Sequence, residues 1–424
     1  MKMQIMSMRT LMKIGGAFVL LLMVSCQNAT KPIKVEVPNQ TLIVSGNGEL
    51  LNFNLDTQSL AWKYASKQDL SGNRNRFVYD EKAIYLPFES GKFVSVDINT
   101  GKVNWTNTAV GSDGIMEGYV DEDGESFSED TGEVNYMTTP LVYGDKVYIA
   151  SCSGRPQFLT FNKLDGSSFA SDNVNTKFNM YKPVVCRGNI FVTSAVYLDM
   201  YTEVGTWTSY GMHDEACFES PLYVQPQSDG KTLFLGEEAG KFYALPLSSN
   251  ADIPGENDIM DVDNTFTKRE GLFDWVYQSS EYPRLATYSG STALVDNTFI
   301  VCVEGDNNRQ ALVGINTGNG KEKWIFEAND EIRNWNITGD EIIGYTSGDI
   351  FVLNLKGDLT GKYQIDTVLP PLSDIISTKV LNLIFITTKG VSLLSRPNQK
   401  TTLLIPYNFA ENEHNRYSIA YFSN

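Results

Sequence analysis

Short hydrophobic runs recur along this chain at a fixed interval. A β-branched or aromatic run is followed by a glycine and a second apolar run, and we take the residue six positions before the glycine as the anchor of each unit. Successive anchors are 43, 63, 43, 43, 65, 43 and 42 residues apart. Two intervals therefore equal one period plus an insertion of about 20 residues, and such a period predicts a repeat architecture. The eight anchors are Leu42, Tyr85, Tyr148, Phe191, Phe234, Phe299, Ile342 and Ile384.

Each unit contains four strand-like runs. In the second unit the anchor run covers residues 83–88, and the run after the hairpin glycine covers residues 93–98. Proline opens an earlier run at Pro140, Pro183 and Pro221, because a strand start needs no ladder N–H. The pattern predicts an all-β, eight-bladed β-propeller with four antiparallel strands per blade. Seven blades are the alternative, because Tyr197 stands where the fourth unit should have its glycine.

Closure of the ring is predicted from the phase of the repeat. The first unit begins with its second strand at Leu42, and a further strand-like run covers residues 417–422. We expect this C-terminal run to pair with residues 41–45 as the innermost strand of the first blade, which removes a free sheet edge. Residues 33–37 are the alternative occupant of that place.

A ten-residue motif carries a resemblance to a known family. Residues 96–105, Val-Asp-Ile-Asn-Thr-Gly-Lys-Val-Asn-Trp, resemble the tryptophan-docking repeat of PQQ-like (quinoprotein-type) propellers, and residues 53–62 and 315–324 align with them without gaps. The resemblance implies that the tryptophans pack between blades, where a flat ring buries a large area. Phe169, Trp275 and Tyr363 stand near the same position in weaker units. The expected docking residues are Trp62, Trp105, Trp324 and Trp275.

The N-terminus has the features of an export signal. Three basic residues precede an apolar run at residues 14–24, which is too short to span a bilayer. Residues 23–26, Met-Val-Ser-Cys, resemble the bacterial lipobox. We therefore expect a lipoprotein signal peptide at residues 1–25, acylation of Cys26 with palmitate, a tether at residues 26–40 and the propeller at residues 41–424. The alternative is an ordinary signal peptide with a chance cysteine.

The residue after Cys26 and the net charge of the chain indicate where the protein resides and which partners it can bind. Gln27, rather than Asp, follows the cysteine, which by analogy with known sorting rules indicates an outer-membrane anchor facing the periplasm. The chain carries 34 Lys and Arg against 51 Asp and Glu, a net charge of −17. Such a surface repels phosphate backbones, so nucleic acid is not an expected partner.

Acidic residues concentrate in the two insertions. The first, at residues 108–135, holds nine acids and no Lys or Arg, and lies between the last strand of one blade and the first of the next. It is a candidate for partner docking. It is also a candidate Ca²⁺ loop, although the spacing departs from the EF-hand pattern. The second, at residues 248–273, interrupts a blade between its third and fourth strands and reads as a variable surface loop. The candidate docking or calcium residues are Asp121, Glu122, Asp123, Glu125, Glu129 and Asp130.

The sequence contains no catalytic motif that we recognise. PQQ-dependent dehydrogenases of this fold use a vicinal disulfide, a Ca²⁺ site and an Asp base, whereas no two cysteines are adjacent in this chain. PQQ is therefore not an expected cofactor, and Ca²⁺ in the first insertion is the one cofactor that stays open. The cysteines after Cys26 leave a disulfide and free buried thiols equally open. They are Cys152, Cys186, Cys217 and Cys302. The two histidines, His213 and His414, suit solvated loops.

Two functions remain open. The first is a non-catalytic, monomeric envelope lipoprotein that binds an outer-membrane or periplasmic protein. It resembles the propeller lipoprotein subunit of the outer-membrane β-barrel assembly machine. The second is a propeller that binds a small ligand, a glycan or a quinone in its central funnel, with or without enzymatic activity. A polar pocket in the funnel would favour the second.

Overall fold

The chain forms a ring of eight β-sheets, each of which is one propeller blade. Four strands in antiparallel order make up each blade, so the all-β, eight-bladed prediction is confirmed. The seven-bladed alternative is wrong, because the irregular fourth unit forms a blade of its own. The computed structural model describes residues 40–66, 76–88, 90–108, 119–120, 126–127, 138–150, 158–171, 181–193, 197–201, 207–211, 220–247, 273–286, 291–378, 382–410 and 417–423.

Blades I to IV are numbered in chain order. Blade I holds β1 (Gln40–Gly46), β2 (Glu49–Asn54) and β3 (Ser59–Ala65), and blade II holds β4 (Val78–Tyr79), β5 (Ala83–Pro87), β6 (Lys92–Asp97) and β7 (Val103–Thr108). A small hairpin follows, made of β8 (Tyr119–Val120) and β9 (Ser126–Phe127). Blade III holds β10 (Leu141–Tyr143), β11 (Lys146–Ala150), β12 (Phe158–Asn162) and β13 (Ser168–Ser171), and blade IV holds β14 (Val184–Cys186), β15 (Asn189–Thr193), β16 (Tyr197–Tyr201) and β17 (Trp207–Gly211).

The second half of the ring repeats this arrangement. Blade V holds β18 (Gln227–Ser228), β19 (Thr232–Gly236), β20 (Phe242–Pro246) and β21 (Trp275–Tyr277). In blade VI the first strand is broken into β22 (Arg284–Leu285) and β23 (Ala293–Val295), followed by β24 (Thr298–Glu304), a 3-10 turn at Asp306–Asn308, β25 (Gln310–Asn316) and β26 (Glu322–Glu327). Blade VII holds β27 (Asn334–Thr338), β28 (Glu341–Tyr345), β29 (Asp349–Asn354) and β30 (Leu359–Gln364), and blade VIII holds β31 (Ile376–Ser377), β32 (Asn382–Thr387), β33 (Gly390–Ser395) and β34 (Lys400–Pro406).

One prolyl segment does not form the strand that the sequence predicts. The first strand of blade V begins after Pro226, whereas the segment at Pro221 lies outside the sheet. Side chains of that segment still alternate between the two flanking blades, with Leu222 and Val224 buried on opposite sides. This alternation explains why the segment reads as a strand.

The hydrophobic core lies between the blades rather than inside one layer. Side chains alternate along each central strand, so Leu42 and Val44 of β1 pack towards blade VIII and Ile43 packs towards blade II. A buried apolar cluster fills each of the eight interfaces between neighbouring blades, which we call seams. A cluster in every seam is what a closed ring requires.

The C-terminal strand closes the ring as the sequence predicts. β35 (Ser418–Ser423) pairs antiparallel with β1, with Phe422 opposite Thr41 and Ser418 opposite Ser45. β2 occupies the other edge of β1. The alternative that residues 33–37 fill the inner position is therefore wrong, since β1 has no third edge.

The first strands of the blades surround the axis of the ring. Neighbouring first strands approach one another, as β4 does β10 and as β18 does both β14 and β23. The connections from blade to blade and the hairpins between second and third strands share one end of these strands, which we call the connection face. The remaining turns lie on the opposite face. Among the described residues no helix is long and apolar enough to cross a membrane.

Candidate functional site

Four tryptophans occupy equivalent positions on the outer strands, and each ring covers a glycine of the next blade. A Cβ added to any of these glycines would lie within 2.7 Å of a tryptophan side-chain atom. Each glycine also has a φ between +66° and +83°, which favours glycine over other residues. The pairs are Trp62 with Gly101, Trp105 with Gly166, Trp275 with Gly320, and Trp324 with Gly357.

Hydrogen bonds and burial distinguish these four rings. The indole N–H of Trp105 donates to the carbonyl of Lys163 at 2.9 Å, and that of Trp275 donates to the carbonyl of Thr317 at 2.7 Å. These two rings are buried, whereas Trp62 and Trp324 are partly exposed. Each ring also packs against its own blade, as Trp105 does against Tyr85 and Phe93, so the docking residues join two blades.

The weaker units depart from this geometry. Phe169 stands at the docking position of blade III, opposite Thr160, but its side chain is 64% exposed. In blade VII the docking position is Gly361, which lies opposite Val352. It directly follows a β-bulge, as Trp62, Trp105 and Trp324 do. Tyr363, two residues further along, lies over Gly361.

An ion pair joins the seam between blades VII and VIII, which lacks a docking tryptophan. Both guanidinium Nη atoms of Arg396 donate to the carboxylate of Glu341, at 2.7 and 2.6 Å, and one also donates to Ser377 at 2.9 Å. The hydrogen bonds from Arg396 hold the pKa of Glu341 below its usual value. Charged groups thus connect the turn of blade VIII to blade VII.

A ring of polar residues surrounds the axis near the connection face. The docking residue on the outer strand of a blade can be traced inward, strand by strand, through the residues that pair opposite one another. In blade II this path runs from Trp105 to Ser95, then to Tyr85 and finally to Val78 on the first strand. Two residues before that point every blade has a polar side chain, and we call this set the inner polar row. Its members are Ser418, Arg76, Thr139, Lys182, Gln225, Ser291, Asn334 and Asp374.

Three members of the inner polar row converge from three different blades. Arg76 of blade II donates twice to Asp374 of blade VIII, at 3.2 and 3.3 Å, and Asn334 of blade VII donates to the same carboxylate at 2.8 Å. Blade I lies between blades II and VIII, and its first strand is β35, which pairs with β1 along one edge. The Arg76–Asp374 pair therefore joins blades II and VIII past the other edge of β35.

Two further members of the row connect blades IV and V. The side-chain amide of Gln225 accepts from the N–H of Lys182 at 2.8 Å and donates to its carbonyl at 2.9 Å. Thr292, next to Ser291, donates to the carbonyl of Gln225 at 2.6 Å. Side chains therefore complete the hydrogen bonding of first strands that are only two or three residues long.

The remaining predicted residues fall mainly outside the described part of the chain. Cys26 and the acidic candidates, Asp121, Glu122, Asp123, Glu125, Glu129 and Asp130, all lie outside it, as do Cys152, Cys217 and both histidines. The flanking strands place the first insertion between β7 and β10, on the connection face, and the second between β20 and β21, on the opposite face. Cys186 and Cys302 are buried thiols that form no disulfide, and burial raises the pKa of Cys186 to about 11. Within the described residues no three His, Cys, Asp or Glu side chains form a group that could hold a metal ion.

The fold and the docking geometry define a PQQ-like β-propeller. A family model described as outer membrane protein assembly factor BamB matches residues 27–202. The structure of BamB from Moraxella catarrhalis is similar, with a TM-score of 0.53 and 14% identity over 83% of this chain and 89% of that one. No curated protein sequence matches this chain.

Dehydrogenases share the same architecture. A quinohemoprotein alcohol dehydrogenase from Comamonas testosteroni has a TM-score of 0.56 and 10% identity over 85% of this chain and 71% of that one. Dihydro-heme d1 dehydrogenase NirN in complex with DHE has a TM-score of 0.59 and 10% identity over 91% of this chain and 77% of that one. At these identities the likeness is one of fold, so the chain is a PQQ-like β-propeller similar to BamB.

Sequence reasoning did not find the inner polar row. Its members are of seven residue types and do not repeat as a motif. A signal was nevertheless present in part, because Thr139, Lys182 and Gln225 each precede a proline at intervals of 43 residues. The eight residues are recognised as equivalent only from the pairing of strands in each blade, which the sequence alone does not give.

Proposed function

We propose that this chain is a non-catalytic envelope lipoprotein that serves as a protein-binding propeller scaffold, with a role in outer-membrane protein assembly. The observation that carries the proposal is the first insertion. It lies within the region matched by the BamB model, emerges on the connection face between β7 and β10, and holds nine acids without a basic residue. A long loop on a rigid ring suits partner binding.

The acidic residues of this insertion are the proposed docking determinants. Replacing Asp121, Glu122, Asp123, Glu125, Glu129 and Asp130 by the corresponding amides should abolish recovery of the partner in cross-linked affinity purification from membranes. The matched control replaces five acids of the second insertion, on the opposite face: Asp252, Glu256, Asp258, Asp261 and Asp263. Equal recovery with both variants would refute docking through the first insertion, and the same preparation tests whether Ca²⁺ binding is lost with the first set.

Membrane attachment is proposed to depend on Cys26. The substitution Cys26→Ser should prevent incorporation of labelled palmitate and move the protein to the soluble fraction. Cys302→Ser, at a buried thiol in blade VI, is the control and should leave labelling unchanged. A Cys26→Ser protein that still carries label would disprove this anchor.

The dehydrogenase likeness has a direct assay. We expect the full chain, supplied with PQQ and Ca²⁺, to give no dye-linked oxidation of alcohols or sugars above background, because it lacks adjacent cysteines. Turnover that depends on PQQ would replace the scaffold proposal with an enzymatic one.

A further inference from the structure

Two Asn–Gly steps occur in the sequence, at Asn47 and at Asn319, and each lies in the tripeptide Gly-Asn-Gly. At such a step the backbone nitrogen of the glycine can attack the side-chain amide of the asparagine, because glycine has no side chain to hinder the approach. Both steps lie in turns between two strands and share a local sequence. A difference in their reactivity must therefore come from the fold.

Asn47 is held away from this reaction. It lies in the hairpin between β1 and β2, which pair directly on either side of it, and Gly48 is buried. The side-chain amide of Asn47 donates to the hydroxyl of Tyr417, next to the closing strand. The amide is thus directed towards Tyr417 rather than back onto its own glycine.

Asn319 is exposed, in the turn between β25 and β26 of blade VI. Its side-chain carbonyl oxygen accepts from the N–H of Lys321 at 3.0 Å. A hydrogen bond to the backbone two residues further on folds the carboxamide over its own main chain, beside the nitrogen of Gly320. The same hydrogen bond draws electron density from the carbonyl carbon and makes it a better electrophile. Exposure and side-chain orientation therefore both favour reaction at Asn319.

Two contacts hold this turn closed. The N–H of Gly320 donates to the carbonyl of Asn316 at 2.9 Å. Trp275 of blade V covers Gly320 and donates its indole N–H to the carbonyl of Thr317 at 2.7 Å. The nitrogen of Gly320 can react only when the turn opens, so the docked ring determines how often that happens.

We propose that Asn319 is a site of spontaneous deamidation and that docking of Trp275 controls its rate. In the opened turn the nitrogen of Gly320 loses its proton to solvent and attacks the side-chain carbon. A C–N bond forms, ammonia leaves, and a succinimide results. Water then adds to one of the two ring carbonyls and opens the ring to aspartate or isoaspartate. Water is the only co-reactant, and the reaction is independent of the proposed scaffold function.

The isoaspartyl product changes the surface on which Trp275 docks. Its main chain is longer by one methylene group, and a carboxylate replaces the neutral amide. The side chain of Trp275 lies 2.7 Å from the position that a Cβ of Gly320 would have, so the ring tolerates little displacement of that backbone. Modification should therefore weaken the seam between blades V and VI, where Phe234 and Phe299 pack beside Trp275.

The test is peptide mapping by mass spectrometry of the folded full chain during incubation in mildly alkaline buffer. Oxygen-labelled water marks deamidation that occurs in the incubation rather than in the digest, and electron-based fragmentation distinguishes isoaspartate from aspartate. We expect isoaspartate to form about tenfold faster at Asn319 than at Asn47, since an exposed turn opens more readily than a paired hairpin. In denaturant the two sites should react at similar rates, because their local sequences match.

Two variants test the control by docking. Trp275→Phe keeps an aromatic ring but loses the hydrogen bond to Thr317, and should speed deamidation of Asn319 several-fold. Trp105→Phe removes the equivalent hydrogen bond in another seam and should leave that rate unchanged. Equal rates in Trp275→Phe and the parent would overturn the control by docking. Equal rates at Asn319 and Asn47 in the folded parent, or no reaction at Asn319, would overturn the site itself.

A second readout connects the modification to the seam. The unfolding midpoint of the incubated parent should fall in proportion to its isoaspartate at position 319. Asn319→Gln should keep its midpoint over the same period, because the longer side chain closes its ring much more slowly. A fully modified parent that unfolds at its original midpoint would overturn the weakening of the seam.

Discussion

At the scale of single residues, each docked seam depends on a matched pair. A tryptophan needs a flat surface on the next blade, and a glycine with positive φ supplies one because it has no Cβ to hold the ring away. Where a blade lacks the tryptophan, the next blade lacks the glycine. Gly361 stands at the tryptophan position of blade VII, and the corresponding turn of blade VIII has Gln399, with a φ of +52°, in place of glycine. We infer that the glycine matters through its contact with the ring as much as through its backbone.

Two glycines of blade III separate these effects. Gly166 has a φ of +71° and lies against Trp105, whereas Gly144 has a φ of +62° and nothing within 4 Å of its missing Cβ. Gly144→Ala should cost about 1–2 kcal/mol for the backbone alone. Gly166→Ala should cost a further 1–3 kcal/mol or so, because the methyl group must displace the ring. Denaturant unfolding of both variants measures the difference, and equal losses would show that the ring contact adds nothing.

The same pairs show what sequence reasoning can and cannot reach. The docking position was predictable because Trp105 comes in a motif with a turn glycine. The exposure of Phe169 and the replacement by Gly361 were not, since both depend on the adjacent blade. Arg76 and Asp374 are 298 residues apart and share no pattern, so their meeting follows only from the closed ring.

At the scale of strands and turns, the sequence predicted second and third strands better than first strands. The central strands are five to seven residues long and alternate between two apolar seams, which produces a clear signal. Several first strands have only two residues, as in β4, β18 and β31, and depend on side chains such as Gln225 and Asn336 for hydrogen bonds across the seam. A short strand of this kind explains why Pro221 was mistaken for a strand start.

The turn of blade VIII gives a pH-dependent prediction. The folded protein holds the pKa of Glu341 below its usual value through Arg396, so the pair contributes stability above that usual value and loses it as the pH falls through the folded pKa. Glu341→Gln should therefore lower the free energy of unfolding at neutral pH and flatten its decline in acid. The control Glu331→Gln changes an exposed side chain of the same region. An unchanged acid profile in Glu341→Gln would contradict the assignment.

At the scale of the whole molecule, eight apolar seams form one continuous ring, and blade I is its only blade built from both ends of the described chain. The repeat period was enough to predict this closure, because it left one strand missing at the start and one spare near residue 420. The repeat period could not predict the side-chain contacts that reinforce this closure. Arg76 and Asp374 join the two blades that flank blade I, while Tyr407 of blade VIII donates to Glu49 of blade I at 2.8 Å.

Removal of the closing strand should therefore weaken the entire ring. Deleting residues 417–424 leaves the inner edge of β1 without partners and removes Tyr417, Ile419, Ala420 and Phe422 from the seams on both sides of blade I. We expect a lower unfolding midpoint and faster proteolysis throughout the propeller, in contrast to a protein lacking Asn424 alone. A synthetic peptide of residues 417–423 should restore part of the lost stability, because it can pair with β1. A truncated protein that unfolds at the midpoint of the parent would mean that the seams hold the ring closed without β35.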